Sequence, residues 1–121
     1  MSKSQSLTVA DLFDDERPSE RDELVAEYLR LTREVMPKMA RTSHKHWPVR
    51  EDHCFQRIVL DAVCGDVWYR HLKKPAYKYL QEGQAQEAVQ MCGEIISGEA
   101  DLDVLNAQSL RFRSKAAKSH A

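Results

Sequence analysis

The chain has 121 residues, 42% apolar and 31% charged, with a formal net charge of −1. That is the balance of one folded domain with an adequate core, and it excludes a chain too polar to fold. No apolar run approaches the roughly 20 residues of a membrane span, and no apolar stretch of a secretory signal follows the N-terminus. Cys54, Cys64 and Cys92 are odd in number and include no CxxC pair. The expectation is therefore a cytoplasmic protein with reduced thiols.

Charge is sorted along the chain. Residues 1–36 carry −4, residues 37–80 carry +5, residues 81–108 carry −6 and residues 109–121 carry +4. Blocks of this kind either neutralise one another in the fold or mark a basic region for a partner.

Residues 1–17 read as a flexible acidic N-terminal arm whose apolar content is Leu7, Val9, Leu12 and Phe13. The helical domain is expected over residues 18–113. Its first helix begins at Ser19, a serine cap followed by acidic residues where the helix dipole favours them. Leu24, Tyr28, Leu31, Val35 and Met39 form its apolar stripe. Arg30 and Arg33 belong to the opposite side. Pro37 lacks a backbone donor and crowds the carbonyl of Arg33, which predicts a kink or an end within residues 36–41.

Residues 41–50 have no period and read as an ordered loop, because Trp47 and Val49 need cover. A helix over residues 51–64 follows. On a helical wheel Phe55, Ile58, Val59, Leu60 and Val63 lie among residues that make it apolar almost all round. Such a helix belongs at the centre of a fold. Its narrow polar wedge holds His53, Arg57, Asp61 and Cys64. Buried charges require partners or a site.

Gly65 weakens helical propensity, so residues 66–72 continue as a kinked helix or restart. A short helix is predicted at 75–80 and a turn at Glu82 and Gly83. A helix follows over Gln84–Ser97, with Gly93 marking a close contact and Gly98 ending it. Asp101 caps a last helix carrying Leu102, Leu105, Ser109 and Phe112. Residues 114–121 are expected to be a basic, frayed tail. Sustained two-residue alternation is missing. The predicted class is all-α: a single small domain of about five helices around the helix at 51–64, with no sheet.

No catalytic, metal or nucleotide motif is complete. His44, His46, His53 and Cys54 cluster within 11 residues, but their spacing matches no zinc pattern, and neither a metal nor a cofactor is expected. Catalysis would have to use His53, Arg57 and Asp61. His53 and Cys64 stand three turns apart, ~16 Å by helical rise, too far for a nucleophile–base pair. Lys45, Arg50, Arg57, Arg70, His71, Lys73, Lys74 and Lys78 are interleaved with Trp47, Trp68, Tyr69, Tyr77 and Tyr79. That mixture suits phosphates and stacked bases, though lysine stems also lie over ordinary helical cores.

The functional expectation is a non-enzymatic binding or accessory protein. It engages an anionic ligand, nucleic acid or a protein partner through residues 44–79, in the manner of an adaptor in protein–protein interaction. The predicted ligand-binding residues are Trp47, Arg50, His53, Arg57, Asp61 and Trp68. The alternative is a small enzyme using the His53, Arg57 and Asp61 pocket.

Overall fold

A computed structural model describes residues 19–119, the side chain of Ser119 excepted. The arm expected at 1–17 lies outside the described residues. Within them the chain is helical and contains no strand. The elements are α1 (Glu20–Arg30), a π-helical turn (Leu31–Val35), α2 (Met36–Arg41), α3 (Asp52–Cys64), a 3-10 turn (Trp68–Arg70), α4 (Ala76–Tyr79), α5 (Glu82–Ser97) and α6 (Leu102–Ser119). None of these helices is long and apolar enough to cross a membrane.

Ser19 caps α1 as its sequence implies: its hydroxyl accepts from the Asp22 amide at 3.0 Å. The backbone irregularity begins one turn before Pro37, and the helix ends at Arg41, within the expected range. The chain widens into the π turn, where the Met36 amide reaches back five residues to the Leu31 carbonyl. It then resumes as α2 with Pro37 in its first turn, where the missing donor costs nothing. The fully buried Thr32 stabilises this turn. Its hydroxyl donates to the Tyr28 carbonyl at 2.9 Å and accepts from Gln56 Nε2 of α3 at 3.1 Å.

Helix α3 is central, as its all-round apolar pattern requires. It packs against α2, the π turn, the 3-10 turn, α5 and α6. Phe55, Ile58 and Val59 are wholly buried, alongside Tyr28, Met36, Leu80 and Ile95 from other elements. Each large apolar side chain buried this way contributes about 1.5–3 kcal/mol before the entropy of ordering it. Gly65 terminates α3 in the left-handed conformation at φ 68°, its amide on the Asp61 carbonyl at 2.9 Å. Residues 66–72 therefore restart, as the 3-10 turn.

Two boundaries and one packing contact differ from the sequence expectation. Helix α5 begins at Glu82 rather than after a turn there, because Gln81 and Gln84 form a reciprocal capping box. Gly93 marks no close approach: it is exposed, and a side chain there would meet nothing within 4 Å. Helix α6 does not fray after residue 113. It continues to Ser119, held by Ala116, which is 3% exposed, and by Arg113, which pairs with α3.

Candidate functional site

The polar wedge of α3 divides into two environments. Asp61, fully buried, meets α6. Its Oδ2 accepts from Ser109 Oγ at 2.6 Å and from Arg113 Nε at 3.0 Å. Its Oδ1 accepts from the Trp68 amide at 3.0 Å and from Arg113 Nη2 at 3.3 Å. Ser109 is 1% exposed and passes the network on, accepting from Arg57 Nη1 at 2.8 Å. Arg57 Nη2 donates to Asn106 Oδ1, also at 2.8 Å. Arg113 completes the cluster by standing over the Tyr69 ring, 5.4 Å from its centroid. A buried carboxylate costs several kcal/mol unless its acceptor sites are filled, and these are. The network joins α3, α6 and the 3-10 turn, with Asp61 sealed from solvent.

His53 takes no part in it. Its side chain is 78% exposed and lies 3.5 Å from Asp52 Oδ1, one residue away. The four-residue spacing places His53 on the same wedge, but in the first turn of α3, where no described residue covers it. His53, Arg57 and Asp61 therefore do not converge on one reacting point. Arg57 and Asp61 meet only through the Ser109 hydroxyl.

The other environment is a groove of about 380 Å³ between α1, the π turn, α3 and residues 74–77. Its volume falls at the small end of the usual ligand-site range. Leu29, Leu60, Trp68, Pro75 and Tyr77 supply apolar walls, and Arg33, His53, Arg57 and Lys74 supply the charged or ionisable basic groups. No Asp or Glu lines it among the described residues. Arg57 spends its hydrogen bonds on neutral oxygens. Arg33 contacts the Tyr77 ring, 5.6 Å from its centroid. Among the described residues neither Arg33, Arg57 nor Lys74 has a carboxylate within ion-pair distance. Several arginines elsewhere are paired, Arg30 with Glu27, Arg41 with Glu51 and Arg21 with Asp22, while among the described residues Arg50 bonds only to a backbone carbonyl.

Local chemistry explains how these groups are held. The π turn carries Arg33 to the groove edge. Arg21 fixes the opposite wall, its Nε on the Leu80 carbonyl at 2.7 Å and its Nη2 on the Tyr77 carbonyl at 2.9 Å. A four-residue helix such as α4 cannot satisfy its own last carbonyls, and the arginine fork does so.

Of the six residues expected to bind a ligand, the structure brings His53, Arg57 and Trp68 to this groove. Asp61 lies in the network. Trp47 and Arg50 are elsewhere. Trp47 is 7% exposed and packs edge-on to Phe55 at 5.7 Å. Arg50 donates to the Lys45 carbonyl at 2.6 Å, closing its own loop. Trp47 also joins His44 and His46 around a second depression of about 320 Å³ bordered by Asp101 and Asp103. No group of three or more potential metal ligands assembles among the described residues.

The sequence reading passed over Arg33, assigned to the solvent side of α1, and over Leu29 and Gln56. The one available signal was Pro37, which announces irregular backbone within a turn of Arg33.

Burial works against the thiolate at two of the three cysteines. Burial pushes Cys92 up to about 12. Burial, reinforced by the nearby carboxylates of Asp61 and Asp66, raises Cys64 too. Reactive cysteines need the opposite, a cationic, partly exposed setting that lowers the pKa. Asp66 is held below the usual carboxylate range, first by the Val67 amide and then by His71.

No known protein family matches this chain, and neither a curated protein nor a solved structure matches it significantly.

Proposed function

We propose that this chain is a non-enzymatic binding or accessory module that holds an anionic ligand in the groove between α1, α3 and residues 74–77. One observation carries the reading. Every ionisable side chain lining the groove, its tyrosines aside, is basic, and Arg33, Arg57 and Lys74 have no carboxylate to neutralise them among the described residues. Cations gathered without counter-charges repel one another, and an anion relieves that repulsion. The apolar walls lower the local dielectric, which strengthens the attraction.

The enzymatic alternative needs His53, Arg57 and Asp61 around a common substrate. The sealing of Asp61 and the separation of His53 favour binding over catalysis. The three free cysteines are compatible with a cytoplasmic setting, which belongs to the same reading.

The test is calorimetric titration of the full chain with inorganic pyrophosphate, with citrate and with a labelled acidic peptide, at low and raised salt. At least one should bind, more weakly as salt rises, and lose affinity in the Arg33→Gln/Lys74→Gln variant. If none binds, or binding ignores both substitutions, the groove is not an anion site.

A further inference from the structure

Resting on that reading, we propose that the natural occupant is a short acidic peptide segment of a partner protein, carrying apolar side chains between its carboxylates.

The floor of the groove is the first argument. Leu29, Leu60 and Pro75 offer no hydrogen-bond donors to base edges and would accept a leucine or phenylalanine side chain. Base stacking is the second. A stacked base gains affinity only on an open aromatic face. Of the groove's tyrosine and tryptophan rings, Tyr28 is 1% exposed and Arg33 stands over Tyr77, which leaves the half-buried Trp68, edge-on to Tyr69, as the single such ring on which a base could stack, too few for a run of bases. The two exposed tyrosines outside the groove each carry a cation: Arg113 over Tyr69, and Lys73 over Tyr79 at 6.0 Å.

Shape and surrounding charge are the third argument. A further depression of about 500 Å³, distinct from the one beside Trp47, shares Leu29 and Tyr77 with the groove and reaches Arg21 and Lys78. From Arg21 to Arg33 is roughly 18 Å at the helical rise, which about five or six extended residues would span. Cations stand at both ends, Arg33 and Lys74 at one and Lys78 at the other. Arg21 is already paired with Asp22. Asp22, paired with Arg21, is the one carboxylate lining the trough among the described residues; beyond it α1 exposes Glu20 and Glu23, and the π turn exposes Glu34. A long polyanion would be repelled by them, whereas a short acidic segment matches the cationic stretch alone.

The experiment is fluorescence polarisation with the full chain and a labelled peptide of about eight residues, the length that just overspans the trough, with leucine and phenylalanine set between glutamates. Pyrophosphate and single-stranded oligothymidine are the competing probes. The peptide should bind more tightly than either. Its affinity should fall at least about ten-fold in Arg33→Gln/Lys74→Gln, and by a similar factor when its apolar residues become serine. Thermal unfolding of the variant, expected to match the parent, separates lost binding from lost folding.

Tighter, variant-sensitive binding of oligothymidine or pyrophosphate would overturn the peptide assignment while the anion-binding reading stands. Peptide binding unaffected by the two substitutions would also overturn it. Silence from all three probes would remove both readings. Peptide binding that emerges only when Leu12→Ser and Phe13→Ser are made in the full chain would assign the groove to the chain's own acidic segment instead of a partner.

Discussion

Two polar regions meet on α3, and they treat charge in opposite ways. On the α6 side, Asp61 accepts four hydrogen bonds, every donor is within 3.3 Å, and the carboxylate has no exposure. On the α1 side, Arg33 and Lys74 stand at a groove with no carboxylate in reach among the described residues. Both regions contain the residue types that a search for function selects. Only the second leaves charge unmatched. A buried charge whose partners are all present is evidence of architecture, whereas exposed cations grouped at a groove without counter-charges leave room for an anion.

The contrast gives graded outcomes. The largest is expected at Asp61. Asp61→Asn removes the charge facing Arg113 and leaves the Ser109, Trp68 and Arg113 donors poorly matched. Arg113 is partly exposed, which puts the cost at the lower end for broken buried pairs, about 3 kcal/mol. Thermal denaturation should show Tm falling by roughly 10 °C or more. A loss below about 0.5 kcal/mol would contradict the network's structural role.

Ser109→Ala comes next. It deletes the hydroxyl that donates to Asp61 and accepts from Arg57, at a cost of about 1–2 kcal/mol by chemical denaturation. Because both changes act on one network, the double variant should cost less than their sum.

Smaller still is the alkaline limb of stability. Cys92 is raised from 9.0 to about 12 by burial, so the folded state keeps the thiol neutral. A raised folded-state pKa means stability that is full below the unfolded value and lost as pH rises from about 9 toward 12. Denaturation midpoints measured between pH 8 and pH 10.5 should fall, and Cys92→Ala should flatten part of that fall. An unchanged alkaline slope in the variant would refute the burial account.

The smallest stability effect belongs to the groove. Arg33→Gln and Lys74→Gln remove exposed cations that carry no ion pair among the described residues, with Arg33 giving up its contact with the Tyr77 ring, so each should change stability by no more than about 0.5 kcal/mol. A cost near that of Asp61→Asn would make the groove cations structural and erase the contrast.

Much of the fold was legible, and the reasons are local. The apolar surface of α3 announced its central place. Ser19 marked the start of α1, and Gly65 and Gly98 marked helix ends. What escaped was non-local or chemically quiet. The side-chain partners of Arg57 and Asp61 lie 48–52 residues away on α6, and no periodicity in α3 names them. The inward face of α6 includes Ser109 and Ala116, one polar and one small, so its second half looked like a fraying tail. The capping box of α5 is built from two glutamines rather than the usual serine or threonine with glutamate. The π turn has no sequence signature of its own. It moved Arg33 from an apparently solvated helix face to the edge of a groove, and this is the main reason that the candidate site was only half visible.

The most direct test of the distinction between the two regions is amide chemical-shift mapping of the full chain during titration with each of the anionic probes, the acidic peptide first. The account predicts saturable changes centred on Arg33, Gln56, Lys74 and Tyr77, with Asp61, Ser109 and Arg113 little moved. Changes centred on the Asp61 network, or no saturable change at all, would contradict it.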